Sequence, residues 1–335
     1  MSYRITLAGS GHQFQVEGNE TLLEAGLRSG IHLRYGCNNG NCGDCRAKLL
    51  EGEVSNAFHD FPFTEAEKMQ HSLLLCRSYP RSDLVIEANE ILAAHEIVQR
   101  KIKTRVAKRE LINPTTLLLQ LRTPRTRLLE FFPGQHIEVT LANGLKADLP
   151  IASCPCNGMM LQLHTCREGN DFNDYLFTEL KQGDSVTIFG PFGDFMLDGE
   201  SRRPILFITE GIHFAPVKSL IEQCINLDLP QSLQLWWLAE SPQGHYLDNH
   251  CRSWEVALDN FHYHPIAFTA APQPPLLDQL FRQIFQQLQH HTGYDIYLSA
   301  SSETANLFQQ LHLKLRGDAS GDLVLRHHKR TITRS

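Results

Sequence analysis

The sequence predicts a multidomain α+β and α/β chain built from three consecutive units. A small α+β unit comes first, a small antiparallel β-barrel follows, and a doubly wound parallel α/β unit completes the 335 residues. Three observations support this: alternating strands around one capped helix, regular short strands in the middle, and apolar strands alternating with amphipathic helices at the end. We place the units at residues 1–91, 101–198 and 202–330, with a linker over residues 92–100.

The first unit combines paired strands with one short helix. The segments Tyr3–Leu7 and Phe14–Glu17 alternate apolar and polar residues, as paired strands do. Thr21, followed three residues later by Glu24, is the capping-box signature of a helix start. Another alternating run, Asp83–Glu87, predicts the closing strand.

A cysteine-rich loop between the helix and the closing strand has the spacing of a plant-type [2Fe–2S] site. Cys37, Cys42 and Cys45 follow the pattern C-x4-C-x2-C, and Cys76 comes 31 residues later. Two ferric ions bridged by two sulfides need four thiolates from different directions, so a short loop supplies three and a distant segment supplies the fourth. Glycines in the loop allow tight turns that bring backbone N–H groups to the sulfurs. We therefore expect these four cysteines to be the cluster ligands.

A four-cysteine zinc site is the alternative for the same residues. Zinc modules usually pair two C-x2-C knuckles, whereas Cys76 has no cysteine nearby and the C-x4-C arm is unusual for zinc. The remaining cysteines have no ligand spacing, and most lie in apolar stretches that predict buried, inert thiols. They are Cys154, Cys156, Cys166, Cys224 and Cys251. An odd total of nine cysteines without a signal peptide argues against a disulfide framework.

Short strand patterns separated by glycine and proline predict the barrel. They lie at Lys103–Val106, Thr116–Leu121, His136–Leu141, Met160–His164 and Ser185–Phe189. The most distinctive phrases here are Phe-Pro-Gly-Gln-His over residues 132–136 and Gly-Pro-Phe-Gly-Asp-Phe over residues 190–195.

The last unit alternates strand and helix patterns. Ile205–Ile208 is a continuous apolar run of the kind that buried parallel strands show. Pro216 suits a first helical position, and an apolar helical stripe follows it. Further strand-like segments at Leu233–Leu238, Phe261–Phe268 and Tyr294–Ser299 indicate a doubly wound sheet.

The first unit resembles the plant-type ferredoxin family over nearly its full length, which implies a β-grasp-type fold. The two barrel phrases resemble the flavin-binding barrel of the ferredoxin–NADP reductase family. The order of the three units is similar to that of bacterial reductases that feed oxygenases and of reductases related to CDP-6-deoxy-glucoseen reductase. This resemblance covers almost the whole chain. It implies a [2Fe–2S] cluster, FAD and NAD(P)H as cofactors, and a protein redox partner.

The flavin signature of this family is altered. The family pattern Arg-x-Tyr/Phe-Ser reads Ala-Asp-Leu-Pro over residues 147–150, although the small apolar triplet after it survives. The resemblance leaves Leu149, Ile151 and Ala152 as candidate flavin contacts. It adds Asn173, which replaces a hydroxyl residue at the start of a helix predicted over residues 173–180 and would cap that helix.

The nucleotide loop of the family is altered as well. The chain keeps Phe-Ala-Pro over residues 214–216, but reads Glu-Gly-Ile-His over residues 210–213 where the family has Gly-Gly-Thr-Gly. Gly211 and Pro216 remain as candidate nucleotide contacts. Glu210 opposes phosphates, since like unit charges roughly 4 Å apart cost about 4 kcal/mol at an effective dielectric near 20. The family's nicotinamide-side cysteine is missing from residues 299–302, which read Ser-Ala-Ser-Ser.

Composition narrows the classes of function. The formal net charge of −6 gives no support to nucleic-acid binding. No apolar run approaches the roughly 18 residues of a membrane span, and the N-terminus lacks a basic-then-apolar signal, so we expect a cytoplasmic location.

The main functional expectation is an electron-transfer protein that carries single electrons on its cluster, with flavin and nucleotide chemistry of its own lost. The first alternative is a functional NAD(P)H-dependent FAD/[2Fe–2S] reductase that feeds an oxygenase or a sugar-deoxygenation partner. The second alternative is a structural zinc module. The sequence assigns no catalytic residue.

Overall fold

The computed structural model describes residues 2–56, 61–155, 159–269, 274–288, 293–316 and 324–327. Three larger sheets, of five, six and five strands, follow one another along the chain. The predicted multidomain class, with a ferredoxin-type unit, a flavin-type barrel and a doubly wound α/β unit, is confirmed. The exact domain boundaries stay a prediction.

The first sheet packs on one helix. The elements of this region are β1 (Ser2–Leu7), β2 (Gln13–Glu17), α1 (Leu22–Arg28), β3 (Arg46–Glu51), β4 (Val54–Asn56), α2 (Glu65–Met69), β5 (Ser72–Leu74), β6 (Ser78–Pro80) and β7 (Leu84–Ala88). The sheet order is β2-β1-β7-β3-β5, while β4 and β6 form a separate pair. The predicted capping box is confirmed, because the Thr21 Oγ1 accepts the Glu24 N–H at 3.2 Å.

The second sheet closes on itself as a barrel. Its elements are β8 (Arg100–Asn113), β9 (Thr116–Arg122), β10 (His136–Thr140), β11 (Lys146–Pro150), β12 (Met160–Cys166), α3 (Asp171–Thr178) and β13 (Ser185–Phe192). The order is β11-β10-β13-β8-β9-β12, with antiparallel neighbours throughout. An antiparallel bridge between Ile151 and Leu163 joins the two edges.

The predicted start of the helix in the barrel is wrong. Helix α3 begins at Asp171, and its N-cap is Asn170, whose Oδ1 accepts the Asn173 N–H at 2.9 Å. Asn173 is therefore the third helical residue and does not cap the helix. Asn170 caps the helix instead, because its side-chain oxygen accepts an N–H group of the first helical turn, which is the interaction that defines an N-cap.

The third sheet is wholly parallel. Its elements are β14 (Ile205–Glu210), α4 (Phe214–Asn226), β15 (Leu233–Ala239), α5 (Asp248–Ala257), β16 (Phe261–Ala267), α6 (Pro274–Leu288), β17 (Asp295–Ser299), α7 (Ser302–Arg316) and β18 (Val324–His327). The strand order is β16-β15-β14-β17-β18, so successive connections run to opposite sides of β14. Sheets of this kind have a crevice beyond the strand ends at that point. Pro216 is the third residue of α4, not the first as predicted.

The barrel is joined to the third sheet at the glycine of the Phe-Pro-Gly-Gln phrase. The Gly134 N–H donates to the Ser219 hydroxyl of α4 at 2.8 Å. Gly134 has φ +90°, and a Cβ on it would lie 1.9 Å from the Phe195 carbonyl oxygen. Only glycine allows this close approach, which explains why the phrase is built around it.

Candidate metal centre and cofactor pockets

The predicted fourth cysteine lies beside the third. Cys45 directly precedes β3, and Cys76 lies in the 3-10 turn Leu75–Arg77 that follows β5, the neighbour of β3. Their Sγ atoms are 3.3 Å apart. The Leu75 N–H donates to the Cys45 carbonyl at 3.0 Å and fixes this approach. Strand pairing therefore brings a residue from outside the loop into the site.

The other two cysteines form a second pair within the loop. The Cys42 N–H donates to the Cys37 Sγ at 3.3 Å, which holds these two cysteines side by side. Within the described ranges, no three His, Cys, Asp or Glu side chains converge on one ion position. Four sulfurs arranged in two pairs are compatible with a centre of two bridged metal ions.

The surroundings of Cys37 and Cys45 suit thiolates, whereas burial raises the pKa of the Cys42 thiol to about 11. Burial raises the pKa of Cys37, but N–H groups of Asn39, Cys42 and Asn41 outweigh it and lower the pKa overall. A hydrogen bond from the Cys76 thiol lowers the pKa of Cys45 to about 7, and the same bond raises the pKa of Cys76. Metal ions would replace these shared protons, so the four donors fit a cluster.

The loop has a buried side and an exposed side. Cys37, Cys45 and Cys76 are buried, whereas Cys42 is exposed. Gly36 permits this packing, because a Cβ on it would lie 2.2 Å from the Asp44 Oδ2. The Cys42 edge is thus the side of the centre that another molecule can approach.

The candidate flavin contacts lie in the interior of the barrel. Leu149, Ile151 and Ala152 are each at most 1% exposed, and the first two belong to the barrel core. Asn173 is buried, and its Oδ1 accepts the Thr165 hydroxyl at 2.8 Å. These side chains serve packing and internal hydrogen bonds.

The charges near the altered flavin signature do not fit a phosphate. Lys146, the nearest substitute for the family's arginine, pairs with Glu138 at 2.8 Å. Asp148 lies on the same strand, and burial raises the pKa of its carboxyl. The turn before α3 adds Glu168, and the first residue of α3 adds Asp171. A pyrophosphate here would meet carboxylates and no free cation from this strand.

A lysine that the sequence did not single out connects the barrel to α4. Lys218 is 5% exposed, and its Nζ donates to the Ala152 carbonyl at 3.1 Å and pairs with Glu222. Glu222 in turn accepts the Cys154 N–H at 3.1 Å. Lys218 and Glu222 line a cavity of 510 Å³ between the barrel and the third sheet. The sequence signal that could have identified Lys218 is its position among the apolar residues of α4.

The nucleotide loop is tied to a neighbouring element by one of its own side chains. Gly211 begins a 3-10 turn, and the Glu210 Oε2 accepts the Ser301 N–H at 2.9 Å. The loop lines a cavity of 260 Å³ together with Glu240 and Phe268. Glu210 therefore ties β14 to the start of α7, and two carboxylates face the space where a nucleotide phosphate would lie. The residues present do not fit that group.

Most of the remaining cysteines are buried where the structure describes them. Cys154, Cys224 and Cys251 are buried, and burial raises the pKa of the Cys224 and Cys251 thiols. Cys166 is half-buried, and Cys156 lies outside the described residues. In the part of the chain that the structure covers, no helix is both long and apolar enough to cross a membrane.

Comparison with known proteins identifies the class of domain that contains these cysteines. Residues 5–81 match the family model of the 2Fe-2S iron-sulfur cluster binding domain. Together with the two sulfur pairs, this match defines an electron-transfer protein with a [2Fe–2S] domain.

Known proteins also match most of the chain beyond this domain. The chain is 32% identical over 268 residues to the CDP-6-deoxy-L-threo-D-glycero-4-hexulose-3-dehydrase reductase of Yersinia pestis, covering 79% of this chain and 80% of that protein. It is 27% identical to the terephthalate 1,2-dioxygenase reductase component 1 of Comamonas, over 78% of each chain. The ferredoxin reductase of carbazole 1,9a-dioxygenase has the same fold, with a TM-score of 0.55 at 19% identity over 97% of this chain and 98% of that one.

These findings confirm the resemblance seen in the sequence. The chain belongs to the family of iron–sulfur reductases that includes the dehydrase reductase of Yersinia pestis.

Proposed function

We propose that this chain is the electron-delivering component of a two-protein system. Cys37, Cys42, Cys45 and Cys76 hold its [2Fe–2S] cluster, which carries one electron at a time. The observation that supports this most directly is the arrangement of four sulfurs in two pairs, with Cys45 and Cys76 Sγ atoms 3.3 Å apart. The partner is an oxygenase-type or dehydrase-type enzyme, as the names of the relatives suggest.

The first candidate for the electron source is the chain itself, acting as an NAD(P)H-dependent flavin reductase. Its relatives are reductases, and the alignment covers 79% of this chain. The comparisons favour this candidate over the expectation that the module has lost its chemistry. If FAD and NAD(P)H bind, they do so without the family's arginine and glycine-rich loop, through contacts that other residues provide.

The second candidate is a separate reductase that reduces the cluster from outside. The specific observation that favours the second candidate is the contact of Glu210 with the Ser301 N–H, because this contact holds a carboxylate in the nucleotide loop. The buried positions of Leu149 and Ile151 point the same way.

One spectroscopic experiment separates these candidates. The purified full chain is examined by visible absorption before and after addition of NADH under argon, and flavin is quantified after acid extraction. Stoichiometric flavin and rapid bleaching by NADH support the first candidate. A cluster spectrum without flavin, bleached by dithionite but not by NADH, supports the second. A colourless chain that contains zinc would overturn the electron-transfer proposal.

A further inference from the structure

A carboxylate of the barrel is buried against the cysteine loop. Glu130 is 3% exposed, and its Oε1 accepts the Tyr35 N–H at 2.9 Å. Its Oε2 has no hydrogen-bond partner in the described part of the chain. Tyr35 lies two residues before Cys37, although Glu130 is 95 residues away in sequence. A buried carboxylate is costly unless it is compensated, so this position needs a reason.

The two residues that precede Glu130 hold the same stretch of the loop. The Leu128 N–H donates to the Gly36 carbonyl at 2.7 Å, and the Tyr35 hydroxyl donates to the Leu129 carbonyl at 3.3 Å. Three consecutive barrel residues thus hold the two residues that precede Cys37. We call residues 128–130 the barrel clamp.

Charges on both sides of this contact compensate Glu130 in part. Burial raises the pKa of the Glu130 carboxyl, and the nearby Arg34 and Arg100 guanidinium groups oppose that rise. Arg100 also donates to the Asp44 Oδ2 at 3.2 Å, and Asp44 lies between Cys42 and Cys45. The carboxylate of Glu130 therefore belongs to a cluster of charged side chains beside the cysteine loop.

We propose that Glu130 is a positioning residue that locks the cysteine loop onto the barrel and whose charge lowers the reduction potential of the cluster. The inference deepens the proposed function, since it rests on cluster binding by the four cysteines. Reduction adds one electron, and hence one negative charge, to the cluster. A fixed carboxylate nearby disfavours that added charge, and net charge and hydrogen bonding near the sulfurs are known determinants of cluster potential.

The matched variants are Glu130→Gln, Glu130→Leu and, as a control, Glu138→Gln. Gln keeps an acceptor for the Tyr35 N–H but removes the charge, whereas Leu removes both. Glu138 is also a barrel glutamate, but its partner is Lys146 and not the cysteine loop. The midpoint potential of each full-length holoprotein is measured at pH 8 by redox titration followed by electron paramagnetic resonance.

We expect Glu130→Gln to shift the midpoint potential upward with iron content unchanged, and Glu138→Gln to leave both values at the wild-type level. We expect Glu130→Leu to lose iron faster on desalting than Glu130→Gln does. Equal potentials for wild type and Glu130→Gln would overturn the electrostatic role, and equal iron retention by the Gln and Leu variants would overturn the positioning role. A wild-type chain without the reduced-cluster signal would instead refute the cluster assignment itself.

Discussion

Cys76 is the one proposed ligand that comes from outside the cysteine loop. Replacing it by serine removes the sulfur beside Cys45, so a cluster held here would lose one of its four cysteine ligands. We expect Cys76→Ser to lose most of the iron, sulfide and visible absorption per chain, as measured after anaerobic purification. Cys166→Ser is the control, because Cys166 lies on β12, in the barrel. Full retention of the cluster by Cys76→Ser would exclude this residue as a ligand.

We predict that Glu210 limits nucleotide binding by its charge and by its contact with the start of α7. Glu210→Gln keeps an acceptor for the Ser301 N–H and removes the charge that faces the cavity. We expect NADH to bind about tenfold more tightly, or about 1.4 kcal/mol, which is less than the full repulsion because the side chain is partly exposed. Isothermal titration of the full chain measures the change. An unchanged affinity, as expected for the surface control Glu179→Gln, would show that the charge is not the obstacle.

Helix α1 illustrates how a local sequence signal acts on a whole unit. Thr21 is 4% exposed and caps a helix whose residues Leu22 and Leu23 are buried in the first core. We expect Thr21→Ala to destabilise the first unit by about 1 kcal/mol, since the Glu24 N–H loses its acceptor. The change is measured as a shift of the thermal transition followed by the visible absorption of the cluster.

The matched control for this helix is the second capping box. Thr64 caps α2 with the same geometry, but α2 is five residues long and buries none of them. Thr64→Ala should therefore move the transition much less. A larger effect at Thr64 than at Thr21 would show that burial of the helix face does not determine the cost of losing the cap.

Elements with strong local patterns were predictable, and elements whose limits depend on partners were not. The apolar run at Ile205–Ile208 corresponds to β14, and the capping box locates α1. The segment predicted over Lys103–Val106 is part of the 14-residue β8, because strand pairing continues through exposed charged residues. The β11 strand was not predicted, since its Asp148 and Pro150 are uncommon in strands and only pairing with β10 explains it.

The candidate site shows the same division. The spacing of Cys37, Cys42 and Cys45 predicts the loop, and the structure brings Cys76 to it. Glu130 could not be predicted as its neighbour, because a side chain that reaches a backbone N–H 95 residues away leaves no periodic signal. The only hint was one charged residue inside the apolar run over residues 128–132.

At the level of the whole molecule, two buried histidines lie at the contacts between neighbouring units. The His32 ring of the first unit packs on Phe132 of the barrel, with ring centroids 3.9 Å apart. The His164 Nδ1 of the barrel lies 2.9 Å from the Tyr246 hydroxyl of the third unit. Burial lowers the pKa of His32 to about 3 and the pKa of His164 well below its usual value. Both rings are therefore neutral in the folded chain near pH 7.

This arrangement makes the joints between the units sensitive to acid. Between pH 6.5 and the lowered folded-state pKa, the unfolded chain binds a proton that the folded histidine does not, so stability is lost as pH falls through this window. For His32 the loss from pH 6.5 to pH 5 is about 2 kcal/mol, from 1.36 kcal/mol per pH unit. We expect His32→Phe, which preserves the packing on Phe132, to weaken this pH dependence, and exposed His262→Gln to leave it unchanged. Hydrogen exchange at pH 7 and pH 5 locates the effect: protection should fall first around Phe132 and Tyr246, and a uniform loss across all three sheets would contradict this assignment.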